Sequence, residues 1–343
     1  MARVKRIGIV DVAAHLGLSS YTVSRALNGH SDVGAVTRER VLAAAQELGY
    51  TPNWLGQKMR SKQTDLVVFM LTASPNNFID NYFLPVLTGV DAVLTPEGYS
   101  VIVTRASPGK QEQDMLRRFV EGGGCDALVL TRMRASDPRV PYLQEQAFPF
   151  VTLGRDCDAP DNVFVDVDHR SGSKEATEWL IANGHRRIAI INTPLPVHSS
   201  QQRIEGWKEA LVEAGIQVEA GWESEGDYSV ESGLRITRQL LGSENPPTAI
   251  ICGTDDMAFG AFGAVRELGL IVGKDVSIIG CDDIPMASLL DPPLTTFRTS
   301  LKVFGETLAR QVLALLRGQQ PESLLIKPEF VLRGSAGPVS VRE

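Results

Sequence analysis

No run of 18 apolar residues occurs in this 343-residue chain, so no segment reads as a membrane-spanning helix. The basic start, Met1-Ala2-Arg3-Val4-Lys5-Arg6-Ile7-Gly8, lacks the apolar stretch and small-residue cleavage site of an export signal. Both absences point to a cytoplasmic protein with no membrane partner. Cysteine is sparse: Cys125, Cys157, Cys252 and Cys281 form no CxxC pair and have no histidine at metal-ligand spacing. Reduced thiols in or near a core are expected, not a disulfide framework or a zinc site. The five histidines show no HExxH spacing, and no GxSxG elbow is present. The stretch Gly269–Asp275 is one residue short of a phosphate-binding loop and has Asp275 where Ser or Thr is needed. No catalytic residue, cofactor or metal is therefore assigned.

What is present is a soluble composition, 43% hydrophobic and 22% charged, in a chain long enough for two or three domains. The net charge of −7 is unevenly spread. Residues 1–62 hold nine Lys or Arg against four Asp or Glu, a net +5, and the remainder is −12. A basic head on an acidic body suggests that only the head meets a polyanion.

The head reads as short helices. Asp11–Leu16 predicts a first helix, Gly17-Leu18-Ser19 a turn, and Ser20–Leu27 a second helix capped by Ser19. Val12, Ala13, Leu16, Leu18, Val23 and Leu27 can close a small core, which leaves Ser20, Tyr21, Thr22, Ser24 and Arg25 outward. Thr37 is expected to cap a third helix over 38–48, with Val41, Leu42, Ala45 and Leu48 packed beneath. Two helices joined by such a turn form the helix-turn-helix motif, whose second helix enters the DNA major groove.

From Leu66 onward the texture changes. Near-continuous apolar runs recur at 66–71, 100–104, 127–130, 148–153, 187–191, 248–252 and 276–280. Such runs suit parallel strands covered on both faces. Amphipathic helices are expected between them at 83–94, 111–121, 171–183, 200–214, 229–241, 255–268 and 301–316. The alternation predicts α/β units, too many for one sheet, hence two lobes with a ligand cleft beyond the strand ends. The signals divide the chain into a helix-turn-helix head and an α/β body. The bounds expected, 1–52 for a DNA-binding head, 53–64 for a hinge or linker and 65–343 for an effector-binding and dimerisation body, take their roles from the resemblance described next.

Asp11-Val12-Ala13, Thr22–Gly29, Thr37–Val41 and Glu47–Asn53 together resemble the LacI–GalR family of bacterial transcriptional regulators. The resemblance continues through Leu153-Gly154-Arg155, Val165–Asp168, Asn183–Ile188, Arg203–Trp207, Asp255–Gly260, Ile279–Asp283 and Asp291–Thr296. Within the family the wording is most similar to regulators of α-glucoside and raffinose uptake. The resemblance implies an all-α helix-turn-helix head and a two-lobed periplasmic-binding-protein-like body with parallel doubly wound sheets.

It also implies site residues. Ser20, Tyr21 and Arg25 would read bases, and Ser19, Thr22, Ser24 and Asn28 would position the backbone. A guanidinium bidentate to guanine is worth ~1–3 kcal/mol of discrimination. Asn53 lies in the hinge, where Met59 stands at the place of an apolar minor-groove wedge and Gly56 replaces a common alanine. Arg203, Asp282 and Tyr228 would hold the effector, with Thr254, Thr72, Ala73, Phe78 and Arg155 as further lining. His169 replaces a common asparagine. The partners implied are double-stranded operator DNA, a mono- or oligosaccharide effector and a second copy of the chain. The function expected is repression of a carbohydrate operon, relieved by the sugar. A corepressor or a non-sugar effector such as a nucleobase is the alternative within the family. A sugar-binding protein or enzyme with an accessory head is the alternative outside it.

Overall fold

The computed structural model describes residues 7–50, 63–73, 82–156, 162–219 and 221–340. The chain divides into two compact units, Met1–Thr64 and Asp65–Glu343. In the first unit, α1 (Ile9–Leu16), α2 (Ser20–Leu27) and α3 (Ala35–Glu47) enclose a core of Val12, Ala13, Val23, Ala26, Val33, Val41 and Ala44. Gly17 ends α1 in the left-handed conformation, φ 65°, which costs glycine no Cβ clash. Ser19 caps α2 as expected, its hydroxyl accepting from the Thr22 amide at 3.0 Å.

Two expectations for α3 need correction. Its cap is Gly34, not Thr37, so Thr37 falls inside the first turn. Val33 is anchored in the core, and the extended backbone of Gly34 lets the helix begin directly after it. Leu42 is 51% exposed, while Ala44 is buried in its stead. Val41, Ala44, Ala45 and Leu48 share one face at helical spacing, and Leu42 falls outside it.

The second unit has two lobes. In the first lobe, β1 (Leu66–Thr72), β2 (Ser100–Ala106), β3 (Ala127–Leu130), β4 (Phe150–Leu153) and β5 (Phe164–Val167) pair in parallel. In the second, β6 (Ile188–Asn192), β7 (Glu223–Glu225), β8 (Ala249–Cys252) and β9 (Ser277–Ile279) form a parallel sheet in the order β7-β6-β8-β9. The chain then returns through β10 (Thr296–Arg298), adds β11 (Leu324–Ile326) to the first sheet beside β5, and pairs β12 (Glu329–Val331) with β10 antiparallel. The apolar runs did not mark β5, β7, β10, β11 or β12. Strand β4 starts at Phe150, not at Phe148, because Pro149 has no amide hydrogen for a ladder.

The continuity of the apolar strands follows from their surroundings. On β1, Val67 and Phe69 enter one core layer, while Leu66, Val68 and Met70 enter the opposite one. The helices doing the covering in the first lobe include α4 (Phe83–Leu94), α5 (Lys110–Val120) and α6 (Arg139–Glu145). The second lobe holds α7 (His169–Ala182), α8 (His198–Glu213), α9 (Val230–Leu241) and α10 (Asp255–Glu267). The last helix, α11 (Leu301–Leu316), packs back against the first lobe. Gly89 of α4 and Gly305 of α11 meet the facing backbone so closely that a Cβ on either would overlap Lys302 or Val86. Among the described residues, no helix is long and apolar enough to cross a membrane.

Candidate functional site

Two places collect the chemistry. The first is the outer face of α2. Ser20 and Tyr21 are exposed there, and Ser24 and Arg25 are half-buried. The Ser19 and Thr22 hydroxyls lie 2.8 Å apart, and Asn28 Nδ2 donates to Ser24 Oγ at 3.4 Å. Arg25 is held by its neighbours: Nη2 donates to Asp32 Oδ1 at 2.7 Å and Nη1 to the Tyr21 hydroxyl at 3.2 Å. The hydrogen bond between them raises the Arg25 pKa and lowers that of Asp32, so both stay charged. Asn53 and Met59 lie outside the described residues.

The second place is a cavity of about 100 Å³ between the two lobes of the body. Its walls include Arg203, Asp282, Tyr228, Thr254 and Arg155, residues brought from five separate stretches of chain. Arg203 is on α8, only 8% exposed. Its Nη1 donates to the Thr193 hydroxyl at 3.2 Å, while its buried Nε has no hydrogen-bond partner. An unsatisfied buried guanidinium nitrogen is costly, and a ligand oxygen would remove the cost. Asp282 follows β9 with φ 113°, and Tyr228 precedes α9 with φ 71°. Both conformations are unusual for residues with a Cβ and are sustained by the surrounding structure. Thr254 caps α10, its hydroxyl accepting from the Met257 amide at 3.3 Å. Arg155 donates to Asp166 at 2.8 Å. Burial raises the Asp166 pKa against the opposing pull of Arg155.

Thr72 and Ala73 are not in this wall. The Thr72 hydroxyl donates to the Thr131 carbonyl at 3.3 Å, and the Ala73 amide donates to the Ala106 carbonyl at 2.8 Å. Thr72 is the last residue of β1 and Ala73 follows it. Phe78 lies outside the described residues.

The cavity has walls that the motifs did not assign. His169, the first residue of α7, lines it, and burial together with Arg203, Arg155 and His198 drives its pKa well below the usual value. It is therefore a neutral imidazole, able to accept one hydrogen bond and donate another. Arg132 also lines it, just past β3 with φ 50°. Its guanidinium donates to the Thr72 carbonyl at 3.0 Å and lies 4.4 Å from the centre of the Tyr228 ring in the other lobe. Beside it, the His198 amide donates to the Met133 carbonyl at 2.9 Å across the same gap. The rule that ligands gather at the carboxyl ends of parallel strands would have singled out Arg132.

The loop bearing Arg132 is fixed from beneath. Asp137 binds Arg139 at 2.7 Å and Arg134 at 3.2 Å, and Arg134 also binds Glu112 at 2.6 Å. These arginines hold the Asp137 carboxyl down at about 2 even though burial opposes them. The group thus remains ionised at any pH where the protein would be handled.

Two predictions follow from this geometry. Arg132→Ala removes a cation–π contact between the lobes. The His198 amide should then exchange with solvent faster than in the parent, read by hydrogen exchange without any ligand. Unchanged exchange would mean that Arg132 does not hold the lobes together. The second concerns Asp255, buried beside the cleft, where it accepts from Thr296 at 2.6 Å and from the Ile284 amide at 2.9 Å. Burial, aided by Asp283 and Asp256, raises its carboxyl to about 7. Folding thus favours the protonated form. That contribution is full below the ordinary carboxylate pKa of 3.8 and is lost as pH rises through about 7. Urea unfolding of Asp255→Asn should show a flatter stability profile between those limits than the parent. An unaltered profile would rule the assignment out.

Residues 8–53 match the lacI family of bacterial regulatory proteins, and residues 177–336 match the periplasmic binding protein-like domain. The transcriptional regulator AglR of Rhizobium meliloti is 34% identical over 98% of this chain and 96% of its own length. CelR of Thermobifida fusca is 31% identical over 98% of this chain and 100% of its own. Among solved structures, the Lac repressor dimer bound to operator and the anti-inducer ONPF superposes with a TM-score of 0.83 at 30% identity. It covers 96% of this chain and 99% of that one. A CelR–cellobiose complex superposes at 0.73 with 30% identity over 96% of this chain and 100% of that one. The head, the two-lobed body and these full-length likenesses agree: the chain is a helix-turn-helix transcriptional regulator and belongs to the LacI family.

Proposed function

We propose that this regulator is a dimeric repressor of a carbohydrate-utilisation operon, released from a palindromic operator by a small sugar. Residues 1–52 are the reader, 53–64 the hinge, and 65–343 the sensor and pairing surface. Ser20, Tyr21 and Arg25 address base edges, and Ser19, Thr22, Ser24 and Asn28 address the DNA backbone. Asn53 and Met59 belong to the hinge's contact with the minor groove.

One observation carries the sugar reading: Arg203, Asp282 and Tyr228 converge on one cavity from distant parts of the chain. A guanidinium that donates, a carboxylate that accepts and an aromatic face together match vicinal hydroxyls on a ring with an apolar side. Arg155, Thr254 and the neutral His169 add further polar contacts. The cavity of about 100 Å³ is small beside the ~300–1,000 Å³ of ordinary ligand sites. The lobes therefore part to admit the effector and settle around it. The effector changes operator affinity only by its differential affinity for the two lobe arrangements. The relatives are DNA-binding regulators, one of them solved with cellobiose, which favours a sensor over a catalyst.

The test is operator binding by the intact chain, titrated against a panel of mono- and oligosaccharides. At least one saccharide should weaken operator binding. Arg203→Ala should abolish that response while leaving operator affinity in the absence of sugar unchanged. Tighter binding on sugar addition would make the ligand a corepressor, and indifference to every saccharide would contradict the sugar reading.

A further inference from the structure

Arg25 is the strongest base-reading candidate in the head, and it is already gripped. Its Nη2 donates to Asp32 Oδ1 at 2.7 Å, and its Nε lies 2.7 Å from Asp32 Oδ2. Its Nη1 donates to the Tyr21 hydroxyl at 3.2 Å, and the guanidinium carbon stands 5.4 Å from the Tyr21 ring centre. A guanidinium carries five N–H groups in a rigid planar fork. Asp32 lies along the side edge of the fork and accepts from Nη2, the Nε beside it making no hydrogen bond, and Tyr21 takes one donor of Nη1. Each Nη thus keeps one further N–H. That is the pair needed to meet the O6 and N7 acceptors of guanine in the major groove.

Asp32 is itself fixed. It sits in the turn between α2 and α3, and Arg38 of α3 donates to the His30 carbonyl at 2.5 Å and the Val33 carbonyl at 3.4 Å. The His30 amide donates back to the Arg25 carbonyl at 3.1 Å, and Val33 is buried in the head's core. The carboxylate therefore stands on a braced turn. Its charge has a second effect. A carboxylate beside Arg25 repels phosphate oxygens but not the neutral edge of a base.

We propose that Asp32 is a specificity-determining residue of the head, aiming the Arg25 fork at a guanine edge and opposing its use on phosphate. Tyr21 acts with it as a positioning residue. The proposal rests on the reading of Arg25 as a base contact given above.

The experiment uses the intact chain and a duplex recovered by selection from a randomised library. Arg25→Ala is measured first, because the base pair at which it relaxes preference is the one Arg25 reads. Asp32→Asn, close to isosteric and on an exposed turn, is then compared with the parent on three duplexes. These are the selected site, the site changed at that base pair, and an unrelated sequence, each across a range of salt. Preference at that base pair should fall about tenfold, a mismatch-sized effect. Binding to the unrelated duplex should rise and become more salt-dependent. Combined with Arg25→Ala, Asp32→Asn should change the preference no further. Unchanged preference would overturn the proposal. So would equal weakening on all three duplexes, which is what a merely structural role predicts. Should Arg25→Ala relax no base pair, the base-contact reading falls first, whatever Asp32→Asn does.

Discussion

Two parallel sheets end at one cleft, and the chain passes between them three times at that place. It crosses from β5 into α7, returns through β10 towards α11, and crosses again between β11 and β12. The crossings bring His169, Phe297 and Pro328 into walls of the cleft or of the small cavity beside it, and Asp282 is bridged to Arg298 of β10. The residues suited to holding a ligand are therefore on or next to the segments that must bend when the lobes rotate. A ligand there cannot be held equally well by two lobe angles, which is the condition for a sensor. The central strands β1, β3, β6 and β8 are buried on both faces along most of their length, whereas β2, β7 and β11 are partly exposed.

Electrostatics give the cleft its character. Arg203 is buried with its Nε unsatisfied, Arg155 is tied to Asp166, and His169 is kept neutral by burial and by the arginines near it. Polar groups are thus fixed before any ligand arrives, which lowers the ordering cost of binding. The head uses the same device outside a cavity. There Arg25 is held by the Asp32 carboxylate on a braced turn rather than left to search rotamers in solvent.

Much of this was legible in the residues, for identifiable reasons. The long strands β1 and β6 stood out because burial on both faces leaves no polar alternation. Helix α2 was clear because Ser19, a cap, precedes a short amphipathic turn. The strands β5, β7, β10, β11 and β12 were not, since strands of three or four residues carry no clear period. Arg203, Asp282 and Tyr228 came through family resemblance, and the structure gathers them at one cavity. Thr72 and Ala73, also taken from the resemblance, are not among the residues lining that cavity. Arg132 went unnoticed because its role depends on a left-handed backbone and on an aromatic ring in the other lobe. Asp32 went unnoticed for a related reason: a lone acid in a basic head reads as solvated until its partner's position is known.

The central claim is that one ligand site and one DNA site share a single free energy of coupling. Linkage requires the coupling to be reciprocal. The direct measurement is effector affinity of the intact protein, by calorimetry, with and without saturating operator. The account predicts that operator weakens effector binding by the same factor by which effector weakens operator binding, within the ~5–150-fold range usual for such coupling. Effector affinity indifferent to operator would contradict it.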